Sequence, residues 1–203
     1  MKPSAEQYSA KYTPQSGDFL FQDLDCGGLC NAIEKVTPAL NGKHFSHIGF
    51  VCQINDSLYV VEAIGADVHL TKVNEFLNRN KDAQNRPKIV VMRLKKKYLK
   101  LVQPATLFAL KQLGKPYDDP FIYDNGKYYC SELLYDAFKA ANGNQPFFEL
   151  QPMTFIDPDT KQTFAAWTEY YRNLGLEIPE GKAGCNPGGI ANSGKLELVI
   201  SLY

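Results

Sequence analysis

The chain has 203 residues, of which 44% are hydrophobic and 22% charged, ordinary values for a globular protein with a core of its own. Lys and Arg together number 22, as do Asp and Glu, so the formal net charge is zero and the composition argues against nucleic acid as a partner. No stretch approaches the roughly 20 apolar residues of a membrane span, and the polar segment 1–15 lacks the apolar core of a signal peptide. We expect a soluble protein, cytoplasmic as written, or periplasmic or cell-envelope if a leader has been removed.

Strand patterns dominate the first half of the chain. β-Branched and aromatic runs bounded by turn residues predict strands at 19–21, 48–54, 58–63, 68–70 and 88–94. The turn formers Asn55, Asp56 and Ser57 join the second and third of these runs as a hairpin. Short helices are expected at 31–36 and 72–78.

Helical spacing predominates in the second half. An apolar stripe predicts a helix from near Val102 to Gly114, and a second amphipathic helix covers 131–141. The remainder is richer in Pro and Gly, with a helix near 164–174 and a last strand at 195–202. Strands followed by helices indicate an α+β fold, with an antiparallel sheet or small barrel packed against helices.

The length favours one domain over residues 1–203. We expect its core at about 16–141, and a C-terminal extension at about 144–203 that completes or covers the fold. The oligomeric state is not predicted.

Five cysteines are present, an odd number, so at least one has no partner within the chain. Their scattered positions do not resemble a disulfide framework, and we expect free thiols. Cys26 and Cys30 lie four residues apart, but no second pair of cysteines or histidines follows at zinc-finger spacing. Neither a metal ion nor another cofactor is predicted.

Cys130 is the first candidate nucleophile. It lies between a loop rich in Gly, Pro and Asp and the predicted helix 131–141, where free amides and the helix dipole favour a thiolate. The same amides point to where a tetrahedral oxyanion would form, so the Cys130 N–H is an oxyanion candidate. A cysteine packed at a helix start is the alternative, with about equal weight from position alone.

His47 is the candidate base, because it begins a predicted strand and Gly49 leaves room beside it. Glu62 lies in the hairpin partner strand, from which an acid can reach the histidine ring and orient it. Tyr117 follows the helix stop at Gly114, and we expect its hydroxyl to lie near the thiolate as a second oxyanion or substrate donor. A structural histidine, a solvent-facing acid and an ordinary turn are the alternatives for these three residues.

Taken together, these segments resemble the NlpC-type papain-like cysteine hydrolases in their circularly permuted, YiiX/YebB-like branch. The matching segments are Gly17-Asp18, Ser46-His47-Ile48-Gly49, Val61-Glu62-Ala63-Ile64-Gly65, Leu113-Gly114-Lys115-Pro116-Tyr117-Asp118 and Tyr129-Cys130-Ser131-Glu132-Leu133. The resemblance covers about residues 16–141, and the order histidine, acid, cysteine is that of the permuted branch.

The resemblance implies a permuted papain-like fold in which the histidine strand precedes the cysteine helix. It makes Cys130 the nucleophile, His47 the base and Glu62 the orienting acid, with Tyr117 and Ser131 in the oxyanion or substrate pocket. The related lecithin:retinol acyltransferase group carries an Asn-Cys-Glu-His signature, whereas this chain has an acid as third residue and reads Tyr129-Cys130-Ser131-Glu132.

The implied activity is that of a thiol hydrolase that cleaves an amide, in a cell-wall peptide or a related acyl-amide, through an acyl-enzyme. Two alternatives stay open: a lipid acyl hydrolase or acyltransferase, and a catalytically silent binding module. The expected partner is accordingly a small peptide, amide or acyl-lipid substrate.

Overall fold

An antiparallel sheet organises the protein, whose computed structural model describes residues 12–203. The first eleven residues, most of the polar segment 1–15, lie outside this range. The strands are β1 Asp18–Gln22, β2 His47–Ile54, β3 Ser57–Ile64, β4 Asp67–Lys72, β5 Ile89–Leu94, β6 Gln151–Pro152, β7 Ala183–Gly184 and β8 Leu196–Ser201. Six of them form one sheet in the order β4-β3-β2-β1-β5-β8, with every neighbouring pair antiparallel. The predicted α+β class is confirmed.

Helices cover both faces of this sheet. They are α1 Gly28–Val36, α2 Val73–Asn78, α3 Val102–Leu110, α4 Cys130–Ala141, α5 Ala165–Leu174 and α6 Pro187–Ala191, with a 3-10 helix at Lys96–Leu101. None of the helices within residues 12–203 is long and apolar enough to cross a bilayer.

Alternation along the strands gives the sheet two apolar faces. On one face Phe19 and Phe50 pack against Phe138 of α4, with ring centroids 5.2 and 5.4 Å apart. On the other, Val51 and Val60 pack with Phe76 of α2. Burying such a side chain contributes about 1.5–3 kcal/mol, so the aromatic contacts fix α4, and with it Cys130, against the sheet.

The C-terminal extension supplies an edge strand of the sheet, because β8 pairs with β5 on the side away from β1. The strands β6 and β7 form a separate ribbon, and α6 begins with the Asn186 side chain accepting a hydrogen bond of 2.7 Å from the Gly189 N–H. The sequence did not predict β6, β7 or α6, because strands of two residues and a helix of five carry no measurable periodicity.

The prediction that all five cysteines are free thiols is wrong. Cys26 and Cys30 form a disulfide, with Cα atoms 5.2 Å apart, whereas Cys52, Cys130 and Cys185 are free. Cys26 precedes α1 and Cys30 lies in its first turn. The turn between them brings the two Cα atoms within the range of a disulfide. A local bridge of this kind leaves no framework pattern in the sequence.

Gly49 allows the close packing beneath the candidate histidine. A Cβ atom at this position would lie 2.4 Å from Val60 Cγ1 and 2.8 Å from Phe76 Cε2. We therefore expect Gly49→Ala to destabilise the protein by about 1–3 kcal/mol through overpacking. Urea unfolding measures the change. Gly28→Ala is the matched control, since its Cβ would make an ordinary 3.6 Å contact with Ala166; equal stability of the two variants would contradict this packing.

Candidate active site

Cys130 is the first residue of the twelve-residue helix α4 and follows an extended N-cap, Tyr129. Its thiol is free and only 7% of the residue is exposed, at the wall of a cavity. The start of a helix presents unpaired N–H groups and the positive end of the helix dipole. This position therefore favours a thiolate and an oxyanion beside it.

His47 is the first residue of β2 and is buried. Its Nε2 lies 2.5 Å from Glu62 Oε2, and the ring also lies close enough to Cys130 for the two groups to interact electrostatically. Because an ionised carboxylate only accepts hydrogen bonds, Nε2 carries a hydrogen and donates to Glu62. This leaves Nδ1 as the ring nitrogen for the thiol.

Charge partners decide the protonation of His47. Burial by itself lowers the pKa of the imidazole, but the hydrogen bonds to Cys130 and Glu62 and the negative charges there outweigh it and raise the pKa to about 9. His47 is therefore an imidazolium over the physiological range, between a sulfur and a carboxylate.

Glu62 is fully buried and every partner favours its charged form. Arg79 donates to both carboxylate oxygens at 2.9 and 2.5 Å, and the Thr71 hydroxyl donates at 2.5 Å. Burial raises the pKa of Glu62, but the hydrogen bonds from Arg79, His47 and Thr71 overcome this and hold the pKa at about 2. Glu62 thus remains ionised and can orient His47.

Arg79 and Thr71 were missed by the sequence analysis. Arg79 caps the C-terminal end of α2, and its guanidinium lies 4.9 Å from the Phe76 ring, which in turn lies 5.8 Å from the His47 ring. The arginine therefore supports the acid directly and packs on the aromatic ring beneath the histidine. No motif in the sequence marks it, because the contact depends on how α2 folds back over β2 and β3.

Tyr117 lines the same cavity as Cys130 and is half-buried. Its main chain is fixed by a bridge to Tyr128 and by a 2.9 Å hydrogen bond from its N–H to the Ala66 carbonyl. Burial, followed by the negative charge at Cys130, raises the pKa of the phenol well above its usual value. The hydroxyl thus stays protonated and available as a donor.

Ser131 also borders the cavity, but its hydroxyl donates to the Cys185 carbonyl at 3.0 Å. The Tyr129 hydroxyl accepts from the Cys185 N–H at 3.1 Å. These two bonds attach the segment around Cys185 to the start of α4. The substrate-binding role predicted for Ser131 stays a prediction, and it would have to come from the backbone rather than from the occupied hydroxyl.

Glu132 ties the loop before Cys130 to the helix. Its carboxylate accepts hydrogen bonds from the Asp124 N–H at 2.9 Å and the Tyr129 N–H at 3.4 Å. Burial, with the nearby charges of Asp118 and Asp136, raises the pKa of Glu132 to about 8. This buried acid holds the backbone that precedes Cys130.

The remaining histidines lie away from this arrangement: His44 is exposed, and His69, half-exposed, pairs with Asp67 at 2.9 Å. Within residues 12–203, no group of three or more His, Cys, Asp or Glu side chains is arranged to hold a metal ion.

Comparison with known proteins identifies the family to which this chain belongs. Residues 13–200 match the family described as "Permuted papain-like amidase enzyme, YaeF/YiiX, C92 family". The chain belongs to the YaeF/YiiX family of permuted papain-like amidases. The resemblance predicted from the sequence is confirmed.

Relatives within the YaeF/YiiX family include the uncharacterized protein YiiX of Escherichia coli (strain K12). It is 30% identical over 172 residues, which are 82% of this chain and 78% of that protein. A crystal structure of YiiX from Escherichia coli O157:H7, titled a metalloprotein, is similar with a TM-score of 0.75 and 26% identity. The match covers 94% of this chain and 98% of that one.

The Arg79–Glu62 pair predicts a pH-dependent stability difference. Because the pKa of Glu62 is depressed to about 2, its ion pair stabilises the fold above about pH 4.5 and is lost as the pH falls towards 2. Arg79→Gln should therefore lower the free energy of unfolding by about 3 kcal/mol at pH 7, and by progressively less below pH 4.5. Urea unfolding at several pH values measures this.

The exposed Arg172 of α5 provides the control, since Arg172→Gln removes the same charge from the surface. Arg79→Lys should give an intermediate loss, because an ammonium cannot form the two-armed contact. A destabilisation by Arg79→Gln that stayed constant from pH 7 to pH 3 would show that Glu62 is not the group concerned.

Proposed function

We propose that the protein is a thiol hydrolase that cleaves an amide bond through an acyl-enzyme on Cys130. The observation that carries the proposal is the buried chain of contacts from Cys130 through His47 to Glu62, which ends at the wall of a cavity. A nucleophile, a base within hydrogen-bond reach and a group that orients the base are the parts that covalent acyl transfer requires.

The reaction proceeds in two transfers. The Cys130 proton resides on His47, and the sulfur attacks the amide carbonyl carbon to form a tetrahedral oxyanion. His47 then gives its proton to the amine as the C–N bond breaks, leaving a thioester. Water loses a proton to His47 and attacks the thioester, and the C–S bond breaks, which releases a carboxylic acid and restores the Cys130 thiolate beside the protonated His47. Throughout, Glu62 orients the ring without itself taking the proton.

The oxyanion has two donors in this proposal. One is the Cys130 N–H at the start of α4, and the other is the protonated Tyr117 hydroxyl at the same cavity. Donors fixed in advance at such a site each contribute on the order of 10²–10³ in rate. The amide substrate is a cell-wall peptide or a related acyl-amide.

Catalysis by this triad is tested by mass spectrometry of acyl adducts. After exposure to peptidoglycan fragments or to acyl-amides, we expect an acyl adduct on Cys130 and none on Cys52 or Cys185. His47→Ala should slow its formation by roughly a hundredfold or more, and Glu62→Gln should slow it as well because the ring loses its orienting partner.

His69→Ala is the matched control, since this histidine is half-exposed and paired with Asp67. Absence of any adduct with every amide tested, or an adduct that forms equally fast without His47, would contradict the hydrolase and favour a binding module.

The disulfide between Cys26 and Cys30 is evidence about the compartment in which the protein works. We infer that the protein works in an oxidising compartment, the periplasm or cell envelope, because disulfides persist there and are reduced in the cytosol. Alkylation of the unfolded protein, isolated with its thiols trapped, should modify three cysteines before reduction and five after it. Five modified cysteines before reduction would contradict this inference.

A further inference from the structure

A positively charged stretch runs through the middle of this otherwise neutral chain. Between Asp82 and Asp118 there are nine Lys and Arg residues and no Asp or Glu, so all 22 acidic residues lie outside it. Three of the nine, Arg86, Lys88 and Arg93, form ion pairs with carboxylates. The other six are lysines, and none of them lies within ion-pair distance of a carboxylate in residues 12–203. Their charge is therefore available to a partner.

One side of the helical segment formed by the 3-10 helix and α3 faces solvent. In a 3-10 helix, side chains three residues apart lie in line, and in an α-helix those three or four apart share a side. This spacing groups six exposed residues, which we call the lysine face: Lys96, Lys97, Leu99, Lys100, Leu107 and Lys111. On the opposite side Leu101, Ala105 and Ala109 are buried in the core. The lysine face is thus the outer surface of a segment whose inner side is held by packing.

The charges at the start of the lysine face act together. The Tyr98 ring packs against Phe147 at 5.1 Å, and the Nζ atoms of Lys97 and Lys195 lie 4.8 and 5.7 Å from its centroid. A hydrogen bond from Lys97 lowers the pKa of the Tyr98 phenol, and the positive charges around the ring lower it further, although partial desolvation opposes them. Lys95 and Lys195 carry two of these charges, so they extend the positive surface beside the lysine face.

Two leucines stand among these charges. Leu107, 55% exposed, is the most exposed large hydrophobic side chain in residues 12–203, and Leu99 is 45% exposed. A single exposed leucine is ordinary on a protein surface. Two leucines on the same side of one helical segment, flanked by lysines, are typical of segments that lie in the interface between membrane and water.

We propose that the lysine face docks the protein on a bilayer that contains anionic lipid, with the lysines at the headgroups and Leu99 and Leu107 in the interface. Clusters of about four to eight cations bind an anionic leaflet, and the lysine face with Lys95 and Lys195 provides six lysines. Nucleic acid fits less well, because lysine lacks the planar fork that recognises phosphates and bases and because it offers no apolar layer to the leucines. The proposal goes beyond the hydrolase function and does not depend on it.

Co-sedimentation with vesicles tests the docking directly. The protein should bind vesicles of two parts phosphatidylcholine to one part phosphatidylglycerol roughly tenfold or more tightly than vesicles of phosphatidylcholine alone. Raising the salt from about 0.1 M to about 1 M should weaken this binding, because the Debye length falls from about 10 Å to about 3 Å. Equal binding to both vesicles, or binding to neither, would overturn the proposal and leave the lysine face as a solvated surface.

Two triple variants determine whether the charge acts locally. The first carries Lys96→Gln, Lys97→Gln and Lys100→Gln. The control removes the same charge from exposed positions elsewhere, with Lys127→Gln, Lys161→Gln and Lys182→Gln. The first should weaken binding to the anionic vesicles by roughly a hundredfold, at about fivefold per lysine, and the control by less than about threefold. Equal effects would show that net charge alone drives the binding and would overturn the assignment to this face.

A leucine variant tests entry into the interface. Leu107→Gln keeps every lysine and should weaken binding to the anionic vesicles by roughly tenfold, because the apolar side chain no longer leaves water on docking. Leu176→Gln is the matched control, since Leu176 is 48% exposed and lies outside the lysine face. Unchanged binding by Leu107→Gln, or an equal loss in both variants, would overturn the docked orientation.

Duplex DNA provides the competing partner, and Cys130→Ala separates docking from catalysis. At equal salt we expect DNA to bind more weakly than the anionic vesicles and to bind Leu107→Gln as well as the wild-type protein. Tighter binding of DNA than of vesicles would overturn the assignment to lipid. Cys130→Ala should dock like the wild-type protein, because Cys130 is not part of the lysine face, so a failure of docking is distinct from a failure of the hydrolase.

Discussion

The ionised Glu62 carboxylate, buried without any exposure, is the constraint on which the site depends. Such a charge is tolerated only if its oxygens are fully paired. The partners come from separate elements: His47 from β2, Thr71 from β4 and Arg79 from the end of α2. The registers of three strands and the position of one helix are therefore fixed around a single acid. The same pairing keeps the acid charged and holds the histidine ring in place, so the stability of the fold and the geometry of the proposed site share one cause.

The opposite face of the sheet carries the proposed nucleophile. There α4 is held by Phe138 against the rings of Phe19 and Phe50, and its first residue is Cys130. The imidazole of His47 connects the two layers, since it forms a hydrogen bond with the acid and interacts electrostatically with the thiol. The C-terminal extension then encloses the thiol, through the contacts of Tyr129 and Ser131 with the Cys185 backbone.

Local patterns predicted much of this structure. The runs before and after Asn55-Asp56-Ser57 form β2 and β3, and the stripe after Cys130 forms α4, because alternation and helical spacing act over neighbouring residues. The contact between His47 and Glu62 was predicted because the hairpin places their two strands side by side. Arg79 was not predictable, because its contact with Glu62 depends on tertiary packing of α2. The bridge between Cys26 and Cys30 was missed because a local disulfide lacks the pattern of a framework.

The protonation of His47 is the most direct test of the account. Nitrogen-15 NMR of the imidazole ring, assigned by comparison with a His47→Gln variant, reports whether both ring nitrogens carry hydrogen. His47 is expected to remain an imidazolium through neutral pH and to titrate with a pKa of about 9, and in Glu62→Gln, which removes the negative charge beside the ring, to titrate at lower pH. A ring that is already neutral at pH 7, or one that titrates at about 6.5 as in a free histidine, would contradict it.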